Sequence, residues 1–292
     1  MASLFKSESG KKEILELYDD KLRELEIVYQ YKTVDTSYGA TNLVVTGSAS
    51  NPPLIIIHGS NACAPISLET YPNLSAQFQV FAVDVLAQPN KSAETRLSME
   101  DDSYGKWLNE VIASLELEDV TLVGFSFAGL VILKTLADKE DRIKEVFLAA
   151  PAYLVNGNPF VTLLKVFLPM KLYQITKKRK FVEKFLNEIF TERDEFAIKY
   201  LSKVFLHFRM DFTPVPVIST ADAGQIKTPI TLIAAGKDLL FPGKKMVARF
   251  SKLFPFGNVV LLENSKHVQN RTNNRMIQEL IMRKSSVTPI SQ

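Results

Sequence analysis

Position 126 is a serine within Gly124-Phe125-Ser126-Phe127-Ala128-Gly129. It follows the apolar run 121–123 and precedes a segment of helical texture. A side chain on a sharp strand-to-helix turn needs small neighbours, because the backbone there is crowded. Gly124 and Ala128 supply them two positions either side of Ser126, and Gly129 lets the helix pack close. Such a turn lifts a hydroxyl clear of a sheet and sets it at a helix N-terminus, where negative charge is favoured. That placement suits a nucleophile. Taken alone the pattern is weak, since a serine capping an ordinary helix would read the same way.

A hydroxyl is a poor nucleophile at neutral pH, so it needs a base, and the base needs an orienting carboxylate. The chain has three histidines. His58 follows an apolar run, His207 lies in a helical stretch, and His267 follows the last apolar run, 259–262. His267 is the candidate base. Asp238, just past the run 230–234, is the candidate acid. Glu263 is the fallback, but its closeness in sequence to His267 favours a solvated role. The order Ser, Asp, His is the one expected of a nucleophile elbow.

A tetrahedral intermediate also needs fixed N–H donors for its oxyanion. The amide of Phe127 is one candidate. The other is the amide of Ser60, in His58-Gly59-Ser60-Asn61, with Gly59 permitting a turn that a side chain would block. His58 is read as structural, its ring holding this loop. The chemistry requires no metal or organic cofactor.

The positioning elements follow from the apolar pattern. Runs at 54–57, 80–83, 121–123, 146–149, 230–234 and 259–262 are short and apolar, as strands covered on both faces are. Helix-length segments at 66–78, 103–115, 127–138 and 243–253 separate most of them. This alternation predicts an α/β fold with a mostly parallel, doubly wound sheet of about eight strands. Segments 26–34 and 43–46, separated by Ser37-Tyr38-Gly39, predict a hairpin ahead of it. Ile14, Tyr18, Leu22 and Leu25 predict an amphipathic helix over 11–25, packed on the core.

From 152 to 227 the rhythm breaks. The stretch is rich in Phe, Leu and Lys and predicts a helical cap inserted between two halves of the core, 26–151 and 228–284. Its basic run 177–180 is read as a solvated helix face, with a lipid-surface contact through it or through 11–25 as the weaker alternative. Residues 285–292 read as a flexible tail.

These motifs together resemble the α/β-hydrolase superfamily over roughly residues 40–283. Within it the chain resembles bacterial carboxylesterases of the naproxen-esterase type, through Ala82-Val83-Asp84, Asn90-Lys91-Ser92 and the spacing of Asp102, Tyr104, Trp107 and Leu108. The resemblance implies a triad of Ser126, Asp238 and His267, a hole at Ser60 and Phe127, and a cap bordering the pocket. Two departures stand out: Lys266 where the family usually has glycine before its histidine, and Ala128 for the second elbow glycine. The implied activity is hydrolysis of a small, apolar or aryl ester. Thioesterase, lactonase, amidase or carbon–carbon bond hydrolysis would use the same triad, and a binding or sensor protein could keep the fold without turnover. Dehalogenases and epoxide hydrolases of this fold use an aspartate where this chain has Ser126.

The bulk composition agrees with an ordinary globular protein of 292 residues, 46% hydrophobic and 23% charged. A net charge of +3 gives no reason to expect nucleic acid. The single cysteine, Cys63, fits a reducing compartment, and neither a secretory leader nor a spanning segment is evident, so a cytoplasmic setting without stable membrane insertion is expected. Oligomeric state stays open, a dimer included.

Overall fold

The computed structural model describes residues 3–285. Helix α1 (Glu8–Glu24) begins at Ser7, whose side chain accepts from Gly10 N. Strands β1 (Tyr29–Thr36) and β2 (Gly39–Thr46) form an antiparallel hairpin in which Thr36 faces Gly39. Strand β3 (Pro53–Ile57) leads into α2 (Ala64–Thr70), then β4 (Gln79–Val83), α3 (Ser103–Ser114), β5 (Val120–Phe125), α4 (Ala128–Asp138) and β6 (Ile143–Ala149). The helix predicted over 66–78 is therefore shorter, and only a 3-10 turn, Leu74–Ala76, follows it. Tyr71 leaves helical geometry and Pro72 cannot supply an N–H, so the helix stops there.

The sheet has eight strands in the order β1-β2-β4-β3-β5-β6-β7-β8, with β7 (Ile230–Ala235) and β8 (Asn258–Leu262) at its far end. Every pairing from β4 onward is parallel. The chain leaves β3 for β4 on one side, then crosses to β5 on the other. The loops after β3 and β5 consequently diverge at a topological switch point, where open α/β sheets form their crevice.

Alternation along the strands loads two cores. Ile55 and Ile57 join Trp107, Leu108 and Leu133 under α3 and α4. Leu54 and Ile56 face the other way, towards Tyr18 of α1 and Leu68 of α2.

Between β6 and β7 the chain is helical: α5 (Pro159–Thr162), a π-helical turn (Leu163–Phe167), α6 (Leu168–Thr176), α7 (Lys180–Ile189), α8 (Glu195–His207) and α9 (Thr220–Gln225). The basic run 177–180 is the junction of α6 and α7 rather than one helix face, and Lys177 there has φ +55°. Phe185 packs edge-on against Phe205 at 5.2 Å within the insertion, and Phe208 against Phe5 of the N-terminal segment at 5.1 Å, so these phenylalanines are buried in the core that the insertion shares with one face of the sheet.

Helix α1 reaches beyond the core. Lys6 N donates to His207 O, Arg209 N donates to Leu4 O, and Lys21 lies over the Phe196 ring, tying the N-terminal segment to α8. After β7 come α10 (Gly243–Leu253) and, beyond β8, α11 (Arg271–Ser285). The last helix has no counterpart in the sequence reading. Its apolar anchors, Ile277 and Ile281, are fully buried, but most of its other residues are polar. The expected tail falls on residues 286–292, outside the described residues, while Ser285 ends α11.

Candidate active site

Ser126 sits between β5 and α4 with φ +55°, a left-handed conformation that side chains rarely adopt. Its backbone is held on both sides: its N donates to Ala149 O, and its O accepts from Gly129 N and Ala152 N. The small neighbours have steric causes. A Cβ on Gly124 would lie 2.9 Å from the Ala128 Cβ, and one on Gly129 would lie 2.7 Å from Ala152 O. Ala128 opens the helix with no positive φ, so a methyl fits there where glycine is usual.

His267, from the loop after β8, reaches both partners. Its Nδ1 is 2.7 Å from Asp238 Oδ2, and its Nε2 is 2.9 Å from Ser126 Oγ. A carboxylate can only accept, so the proton belongs on Nδ1, which leaves Nε2 free to accept from the serine hydroxyl. Asp238 is held in turn: Oδ1 accepts from Leu240 N at 2.8 Å and Phe241 N at 3.0 Å. All three side chains are buried, and the rings of Phe125 and Phe241 flank the imidazole at 5.1 and 5.4 Å. Glu263 is exposed, away from this chain of bonds. The arrangement can deliver a deprotonated oxygen in a nearly dry place.

The loop after β3 lies against the serine: a Cβ on Gly59 would come within 3.1 Å of the Ser126 Cβ. Among the described residues, neither Ser60 N nor Phe127 N donates to another group of the chain. Asn61, at φ +58°, donates its N–H to Gln88 Oε1. His58 pins the loop from below. Its Nδ1 bonds Gly59 O at 2.7 Å, and Nε2 accepts from Val85 N at 3.0 Å. That acceptor role requires a neutral ring, and burial lowers its pKa to about 4. Gln88 escaped the sequence reading because nothing local distinguishes it from a surface glutamine.

Next to His58, Asp84 is fully buried at the end of β4, and burial raises its pKa to about 6 despite donation from Ala64 N and Asn42. The two groups act oppositely on stability. The contribution of His58 is complete above its ordinary 6.5 and is lost as pH falls towards 4, about 3 kcal/mol over the window. That of Asp84 is complete below 3.8 and is lost as pH rises through 6, again about 3 kcal/mol. Asp84→Asn removes the offset. On acidification from about pH 7 to about pH 5, its melting temperature should drop roughly 3–5 °C more than the wild type's. Equal acid sensitivity in thermal denaturation would refute the opposition.

Thr191, just past α7, is a further contributor that the sequence concealed. Its Oγ1 accepts from Lys266 N at 2.9 Å and donates to Val268 O at 2.7 Å, clamping both neighbours of His267. Val268 N donates to Ile189 O, and Lys266 Nζ to Asn187 O. Lys266 has no positive φ, so the glycine usual there is not needed. Thr191→Val leaves the Lys266 amide unpaired and loosens the base. Turnover should fall roughly 10²-fold with little change in KM, as a small misplacement does. Thr191→Ser should restore it, and wild-type turnover in the valine variant would rule the clamp out.

Among the described residues, no group of three His, Cys, Asp or Glu is placed to hold a metal ion. No helix among them is long and apolar enough to cross a membrane.

Residues 52–187 match the model of a family described as alpha/beta hydrolase fold. The chain is 22% identical over 268 residues to an uncharacterized carboxylesterase of Bacillus subtilis, covering 86% of this chain and 84% of the relative. It is 30% identical over 148 residues to carboxylesterase YbfK of the same organism, covering 50% and 49% of the two chains. Its backbone is similar to the crystal structure of naproxen esterase from B. subtilis, with a TM-score of 0.83 at 20% identity, covering 96% of this chain and all of that one.

Proposed function

We infer that this chain is a serine hydrolase of the α/β-hydrolase superfamily that cleaves carboxylic esters through an acyl-enzyme. The observation that carries this reading is the continuous bond chain from Ser126 Oγ through His267 to Asp238. In it, Ser126 attacks the ester carbonyl while His267 Nε2 takes its proton. Asp238 keeps the ring oriented and stabilises the imidazolium. The oxyanion is received by the amides of Ser60 and Phe127, which have no competing acceptor among the described residues. His267 returns its proton to the leaving alcohol, then activates water to release the acid.

The helical insertion, as a cap, closes the site from above. Phe125 and Phe241 beside the imidazole favour a small substrate with an apolar or aryl group. A cytoplasmic setting is part of this reading and rests on the single, buried, unpaired Cys63.

The test is incubation with a fluorophosphonate probe and mass spectrometry of the labelled peptide, alongside a panel of p-nitrophenyl esters. Labelling at Ser126 with repeated turnover is expected. A folded protein that neither labels nor turns over would favour a binding protein on this fold.

A further inference from the structure

The helical stretch from α5 through the π turn to α6 is apolar on two sides. One side is accounted for: Val166, Met170 and Tyr173 are buried in the insertion's core. The opposite side is not. Phe160 and Ile175 are 66% and 78% exposed, with Leu163, Leu164 and Leu168 exposed between them. A spacing of four residues drifts around an α-helix, but the π turn over Leu163–Phe167 takes up extra residues and offsets the drift. Phe160, Leu164, Leu168 and Ile175 thus form one outward stripe. Exposed patches of this kind mark contact surfaces.

The charge around the stripe says what it contacts. Between residues 151 and 182 stand Lys165, Lys171, Lys177, Lys178, Arg179 and Lys180, and no Asp or Glu. Among the described residues, Lys171, Lys177, Lys178 and Lys180 form no ion pair. The whole chain carries only +3, so this is a local concentration. A second copy docking through the same patch about a two-fold axis would bring these cations against their own images. An anionic surface meets them instead.

We propose that the outward face of residues 159–180 docks on an anionic lipid surface, the leucines and phenylalanine entering the headgroup boundary and the lysines contacting acidic headgroups. The contact is peripheral, because no helix among the described residues can span a bilayer. It also lies beside the catalytic groups. Gly157, two residues before α5, donates to Leu240 O, and Leu240 N donates to Asp238. Docking would set the rim of the site at the lipid boundary. The proposal stands on exposure and charge, whatever bond the serine cleaves.

The test is flotation of the full chain with vesicles of phosphatidylcholine alone or with added phosphatidylserine. The wild type should float only with the acidic vesicles, and less as salt rises. Each lysine near the surface multiplies partitioning roughly five-fold. Lys171→Glu/Lys178→Glu/Lys180→Glu should therefore lower it about 100-fold or more, and Leu164→Ser/Leu168→Ser/Ile175→Ser at least about tenfold. Both variants should keep wild-type melting and turnover of a water-soluble p-nitrophenyl ester, which separates surface binding from folding and chemistry. Three outcomes would overturn the proposal: no flotation of the wild type, equal binding to neutral and acidic vesicles, or full binding by both variants. A lipid-free dimer that the serine variant breaks in sedimentation would also overturn it, assigning the stripe to a second copy.

Discussion

Ser126→Ala is expected to reduce ester turnover roughly 10⁶-fold, the scale on which removing a triad serine acts. The substitution deletes the hydroxyl oxygen that would form the acyl-enzyme, and among the described residues no other hydroxyl is bonded to His267 Nε2. Folding should be unaffected, because the elbow is held by backbone bonds to Ala149 and Ala152. Ser126→Gly sharpens the test. It is equally unable to form the acyl-enzyme, but it relieves the φ of +55°. A non-glycine residue there costs about 1–2 kcal/mol, so the glycine variant should melt a few degrees above the alanine variant. Turnover by Ser126→Ala within tenfold of the wild type would remove the serine from the mechanism.

The second large effect is Asp238→Asn, expected to lower kcat roughly 10⁴-fold with little change in fold. The local bonds dictate why. Oδ1 accepts from two amides, Leu240 N and Phe241 N, so the single oxygen of an asparagine settles there. Its NH₂ must then face His267 Nδ1, where Oδ2 stood. The imidazole can meet that donor only by carrying its proton on Nε2, and a protonated Nε2 cannot take the proton of Ser126. Glu263→Gln is the comparison. Glu263 is exposed, and its substitution should leave kcat near the wild-type value. If Glu263→Gln were the damaging change, the assignment of the acid would be wrong.

The two variants test a set of residues that could be named before any coordinates, because each lies just past the end of a buried strand. Strands covered on both faces are continuous apolar runs, and residues that follow them fall at one edge of a parallel sheet. That logic marks Ser126 after 121–123, Asp238 after 230–234, His267 after 259–262 and the loop after 54–57. Helix α11 escaped the same reading because its apolar residues, from Met276 to Met282, occupy less than two turns behind the polar run 271–275. The shortening of α2 escaped it because Leu74 and Phe78 continue a helical spacing although the backbone has turned at Tyr71.

The class of fold is legible in local apolar runs, and small residues and strand ends mark the elbow and the proposed serine, acid and base in their order. The strand order, the partners that hold His58 neutral beneath the loop after β3, the buried Asp84 beside it and the Thr191 clamp on either side of His267 emerge only when the chain is folded. So does the face of residues 159–176 that is left exposed. One cause underlies all of these. A hydrogen bond between residues 75 positions apart, or a stripe left exposed among the described residues, depends on how separate elements meet in space, and no local pattern records that meeting.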